Sequence, residues 1–130
     1  MILTVKTDNP QAEVGLYDDT AKQISYYDWH AHRELSATLL TVINDQLEAQ
    51  DADFKDITGI VVYKGPGSFT GLRIGIAVTN AMAYALSVPV VGTNGDSWQK
   101  EGVELLKSSQ KNNIVLPEYG AGANITLPKK

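Results

Sequence analysis

Cysteine is absent from this 130-residue sequence, which excludes disulfides, thiolate metal sites and cysteine nucleophiles. No apolar run approaches the roughly 20 residues that a membrane-spanning helix needs. The opening segment Met1 to Lys6 has no basic stretch followed by a long apolar run, so no signal peptide is expected and the cytoplasm is the expected compartment. An excess of positive charge is missing too: 11 Lys and Arg stand against 15 Asp and Glu, for a formal net charge of -4. Free-standing nucleic-acid binders usually carry a basic surface, so any RNA is expected to be reached only indirectly, inside a complex whose other members supply the positive charge. Histidine is scarce. His30 and His32 are the only two, and a spacing of two does not place them on one helix face as a metal-binding pair requires.

What remains is ordinary globular composition, 43% apolar and 20% charged, enough for one domain. Three strands are expected over residues 1–28, separated by the turn Thr7-Asp8-Asn9-Pro10 and the short connection Asp18-Asp19-Thr20. An amphipathic helix follows over 32–50, with Leu35, Leu39, Val42 or Ile43, and Leu47 at helical spacing and Asp51 and Asp53 at its end. The apolar run Ile57 to Tyr63 reads as a strand covered on both faces. A second helix is expected from about Thr70 to Leu86, apolar nearly all round and therefore buried. A fifth strand spans Val90 to Gly92 and a third helix residues 96–109. Residues 111–130 read as an extended tail, with one short strand near Ile114 to Leu116 as an option. Three antiparallel strands followed by helix, strand, helix, strand, helix is the order of a ribonuclease H-like or actin-like α/β lobe with a five-stranded mixed sheet.

The informative segment is Lys64-Gly65-Pro66-Gly67-Ser68-Phe69-Thr70-Gly71-Leu72-Arg73-Ile74-Gly75. Two glycines flank a proline after a buried strand, which suits a sharp turn. Ser68 and Thr70 are both good N-cap residues, so the loop is expected to deliver a helix N-terminus with exposed N–H groups, a position that suits an anion. Arg73 could add charge there. Gly71 and Gly75 lie four apart, which fits close helix packing. A tight turn with no ligand is the competing reading. The segment is neither a phosphate-binding P-loop nor a dinucleotide fingerprint, because the Gly-Lys-Ser/Thr end and the glycine spacing are missing.

The eleven residues Gly65 to Gly75 resemble the signature of the TsaB (YeaZ) family. His32 with Leu35, Ser36 and Leu39 is similar to the family's first helix, and Ala81 to Leu86 followed by Val88 to Gly92 to its second helix and next strand. Pro117, Tyr119 and Asn124 to Lys130 resemble its C-terminal tail more weakly. The resemblance implies an actin-like (ASKHA) fold and a non-catalytic scaffold subunit. Its implied partner is a TsaD-like catalytic subunit that transfers threonylcarbamoyl to adenosine 37 of tRNA, with a TsaE-like ATPase as a further member. Alone, the chain is expected to form a homodimer. The implied partner surface comprises His32, Leu35, Leu39 and the signature residues Gly65, Pro66, Gly67, Ser68, Phe69, Thr70, Gly71, Leu72, Arg73 and Gly75.

Two departures from the family qualify that expectation. Residues 1–110 read as the first lobe and 111–130 as a tail, with the second lobe largely absent. The family commonly has Asp-Thr after its first strand, where this chain has Lys6-Thr7. No cofactor of its own is therefore expected, ATP or a metal belonging only to a site shared within a complex. The alternatives are an ASKHA-type nucleotide hydrolase, an M22-type peptidase homologue and a self-associating orphan paralogue. Ser68 lacks a nucleophile elbow, and Tyr26, Tyr27 and Trp29 are expected to serve core or interface packing, with an RNA-stacking platform as the second reading, disfavoured by the absence of interleaved basic residues.

Overall fold

The computed structural model describes residues 1–111 and 113–118. Its regular elements are β1 (Ile2–Lys6), β2 (Gln11–Tyr17), β3 (Gln23–His30), α1 (Leu35–Glu48), β4 (Gly59–Tyr63), α2 (Phe69–Leu86), β5 (Val90–Thr93) and α3 (Trp98–Leu106). The expected order of elements is the observed one. The five strands form one sheet in the order β3-β2-β1-β4-β5. β1 pairs antiparallel with β2, and β2 with β3, while β4 runs parallel to both β1 and β5.

Alternation along the strands sorts side chains into two layers. Leu3, Val5, Val14, Leu16, Ile60 and Val62 face α1 and α2 in the main core. Ile2, Tyr17 and Val61 face the other way and pack with Trp98 and Val103 of α3. Helices therefore lie on both faces, which is why β4 reads as a continuous apolar run. α1 docks by a stripe repeating every four residues, Leu35, Leu39, Ile43 and Leu47, all buried. Trp29 adds a tie from β3, its indole N–H donating to Thr38 Oγ1 at 3.0 Å. In the turn before β3, the Asp18 carboxylate accepts from Thr20 Oγ1 at 2.7 Å and from Thr20 N and Lys22 N at 2.9 Å. Those bonds, the Thr20 hydroxyl's first, hold its pKa below the ordinary carboxylate value.

Several boundaries differ from the expectation. His32–Glu34 forms a 3-10 turn, so α1 starts only at Leu35. α1 ends at Glu48, and Asp53 caps the next 3-10 turn, Phe54–Asp56, through a capping box. A carboxylate satisfies N–H groups at a helix start, so the Asp53 that reads as a terminator is a beginning. The optional strand near Ile114 does not form: 113–118 carries no strand pairing. The weakly matching residues Tyr119 and 124–130 lie outside the described residues. Among the described residues, no helix is long and apolar enough to cross a membrane.

Candidate protein-interaction site

The signature loop leaves β4, turns through Gly65 and Gly67, and enters α2. Gly65 has φ 118, in the left-handed region that favours glycine, and a Cβ there would overlap the Glu118 carbonyl oxygen. The other two signature glycines serve close approach. A Cβ on Gly71 would overlap the Thr7 carbonyl oxygen, and one on Gly75 the Thr7 Oγ1. Thr7 Oγ1 in turn donates to the Gly71 carbonyl at 2.7 Å, and Ser68 N donates to the Asp8 carbonyl at 2.7 Å. The Gly71/Gly75 pair therefore packs α2 closely, as its spacing suggests, and the neighbour is Thr7 at the end of β1. Ser68 occupies the N-cap position but makes no side-chain capping bond. Its backbone amide is engaged by Asp8, and that contact with the turn after β1 fixes the helix start instead. The exposed Arg73 guanidinium lies 5.1 Å from the centroid of the ring of Phe69, the first residue of α2.

Around this loop the structure brings together several of the expected site residues. His32, Leu35, Ser68, Thr70 and Gly71 line one cavity of 330 Å³ with Arg33. His32 holds a left-handed backbone, φ 44, and its N–H donates to the Pro10 carbonyl at 3.3 Å. Leu35, Leu39, Leu72 and Gly75 are buried, so they support the surface from below. Of the expected residues on α2, Phe69, Thr70 and Arg73 face outward, and beside them α1 and α2 present Leu40, Ala77, Ala81 and Tyr84, the last 81% exposed. α2 is thus not buried all round. Its alanines are small enough to face outward without building a projecting apolar ridge.

Sequence reasoning missed the other border of this face. Asn80 Nδ2 donates to the Val115 carbonyl at 3.0 Å, and Val115 N donates to Asn80 Oδ1 at 2.9 Å. The amide imitates a strand neighbour and pins 113–118 beside α2. Glu118 N donates to the Lys64 carbonyl at 2.7 Å, and the Glu118 carboxylate pairs with Lys64 Nζ at 3.1 Å. Val115 is thereby buried, while Ile114 and Leu116 remain about 70% exposed (69% and 70%). One signal was available: asparagine is a poor helix former and stands in the second half of a mostly apolar helix.

At the carboxyl end of β1, Lys6 Nζ stands 2.6 Å from Asp8 Oδ1 and 4.5 Å from the centre of the Tyr63 ring. An ammonium group already on that carboxylate does not fit a bound cation there. Among the described residues, no three of His, Asp and Glu stand together as metal ligands.

A family model described as "TsaD: tRNA N6-adenosine threonylcarbamoyltransferase" matches residues 29–97, more than half of the chain. The chain belongs to the TsaD family. Its homologues include the TsaB (YeaZ) proteins. The Escherichia coli (strain K12) tRNA threonylcarbamoyladenosine biosynthesis protein TsaB is 28% identical over 107 residues, covering 78% of this chain and 46% of that relative. A tRNA N6-adenosine threonylcarbamoyltransferase of Geotalea uraniireducens (strain Rf4) is 44% identical over 64 residues, covering 49% of this chain and 19% of that protein. Among solved structures, YeaZ from Pseudomonas aeruginosa superposes with a TM-score of 0.65 at 27% identity, over 72% of this chain and 43% of that one. The fold is accordingly the actin-like α/β fold of YeaZ. The chain spans less than half the length of each of these relatives.

Proposed function

We propose that this chain is a non-catalytic scaffold in cytoplasmic tRNA threonylcarbamoyladenosine synthesis. It presents the outer face of α1 and α2 to a TsaD-like catalytic subunit and, without that subunit, to a second copy of itself. The observation that carries this reading is the exposed face itself: Leu40, Ala77, Ala81 and Tyr84 stand over a helix pair that is anchored from beneath. Small outward residues let a partner helix approach closely, and Tyr84 supplies an amphipathic anchor. Arg73 is a charge on this face and gives it orientation. Both helices lie within residues 1–110, so the first lobe contains the whole proposed surface. tRNA is reached through the partner, in keeping with the net charge of -4. A TsaE-like ATPase, ATP or a metal enters this reading only at a site shared within the complex.

The test is light scattering on size-exclusion chromatography, with the chain alone and mixed with a TsaD-like protein from the same source. The mixture is expected to give a heterodimer, which Ala81→Arg abolishes without lowering the melting temperature. Equal binding by Ala81→Arg, or no complex with the unaltered chain, would sink the scaffold reading. A second reading draws on the 44% identity to a transferase: the chain would contribute to transfer chemistry directly. Threonylcarbamoyl transfer by this chain in the absence of a TsaD-like protein would establish it.

A further inference from the structure

The two edges of the sheet are treated differently. β5 has four residues and is flanked by 113–118, whose Val115 and Glu118 share one groove with Val90 and Val91. β3 has eight residues and is the outermost strand at the other end. Its outer edge pairs with no strand among the described residues.

Natural sheets protect such edges with lysine, proline, inward charges or bulges. Between Gln23 and His30 there is no lysine and no proline, and Asp28 is the one carboxylate. A bulge is present, but the register shift falls where Leu16 and Tyr17 meet Ser25 and Gln23. Ser25 to His30 therefore stays regular. Tyr26 and Tyr27 point to opposite faces of the sheet and are 40% and 46% exposed. Tyr27 is backed by a stacked Trp29 at 6.0 Å.

We propose that the β3 edge is a pairing surface for the β3 edge of a second copy, antiparallel about a two-fold axis through Tyr27. Self-pairing fits because the regular segment is complementary to its own reverse. With Tyr27 opposite the partner's Tyr27, Tyr26 lies opposite the partner's Asp28, and Ser25 opposite the partner's Trp29. A phenol then meets a carboxylate twice across the axis, a donor facing an acceptor. Within its own sheet the same phenol is engaged by Glu13 of β2 and reaches Asp28 at only 3.4 Å, the latter a long bond that a partner's carboxylate can replace. Centring the axis one residue later sets Asp28 against its own copy, which like charge disfavours. One residue earlier, Asp28 faces Ile24. Of these three registers, the aromatic and hydrogen-bonding pattern favours the one centred on Tyr27. This contact leaves the outer face of α1 and α2 open, so it is independent of the scaffold surface.

The cysteine-free chain makes the test direct. Tyr27→Cys is expected to form a disulfide-linked dimer under mild oxidation, because residues across the axis face each other at short range. Tyr84→Cys, on the outer helix face, reports the separate helix contact. In a light-scattering concentration series, Tyr27→Lys is expected to lose the association through β3 and keep only the helix-mediated dimer, and Tyr26→Phe to associate through β3 about tenfold more weakly. All three positions are exposed, and unchanged circular dichroism would show that folding is intact. No crosslink through Tyr27→Cys, or self-association that Tyr27→Lys leaves unaltered, would overturn the proposal. Crosslinking through Tyr84→Cys alone would overturn it while leaving the scaffold surface standing. Crosslinking through Tyr27→Cys alone would do the reverse for the helix-mediated homodimer.

Discussion

α1 and α2 lie side by side on the same face of the sheet, yet they are held there by opposite means. α1 fills space: four large aliphatic side chains, Leu35, Leu39, Ile43 and Leu47, enter the core at a regular interval. α2 removes space: Gly71 and Gly75 let its backbone descend onto Thr7, and only Leu72, Ile76 and Met82 contribute sizeable buried apolar side chains. A helix held by side chains tolerates any residue of similar volume, because rotamers can adjust. A helix held by such close contact has no such freedom, since the facing atoms belong to Thr7, which directly follows β1. The signature of this family is therefore readable as a packing requirement that aims α2 and the surface it carries.

The largest expected effect breaks the α2 side of that comparison. Gly75→Leu drives a side chain into Thr7 and should cost about 3 kcal/mol or more, enough to remove most of the stability of a marginal domain. Chemical denaturation would measure it, and a near-normal midpoint would mean that α2 does not sit on β1. On the α1 side, Leu39→Ala should cost about 2–5 kcal/mol, whereas Leu39→Met should cost less than about 1.5 kcal/mol. Equal losses from the two would deny α1 its adaptability. Gly71→Ala is the sharper probe of α2, since a single methyl meets the Thr7 carbonyl oxygen. A loss of about 1–3 kcal/mol is expected, although alanine is the better helix former. Stabilisation by this substitution would show that propensity outweighs the contact. Asn80→Ala should cost about 1–2 kcal/mol through its two bonds to Val115, with faster amide exchange confined to 113–118. The smallest effect belongs to Arg73→Ala. Exposed and lying on Phe69, it should move stability by no more than about 0.5 kcal/mol while weakening the heterodimer. A strongly lowered melting temperature would instead make this arginine part of the fold.

Much of the molecule is legible in its sequence where the physics is local. The turn chemistry at Asp18 and the stripe on α1 depend on residues close along the chain, and both stand near where they were expected. The site is less legible, because a motif records which residues are needed without recording what they face. Gly71 and Gly75 carry the spacing of close helix packing, but not the identity of the neighbour, which is Thr7, 64 residues before Gly71. Ser68 carries the chemistry of an N-cap, yet the Asp8 carbonyl takes its amide. Asn80 has no local signal for its partner, which lies 35 residues away.

By itself, the sequence determined the order of the elements, the buried stripe of α1 and the site of the sharp strand-to-helix turn, since all follow from periodicity and short-range backbone preference. Tertiary structure alone decided that α2 keeps one face exposed, that 113–118 borders that face, and that β3 rather than β5 is the unguarded edge. Those three outcomes depend on which distant segments compete for the same space, and the spacing of residues along a chain does not encode that competition.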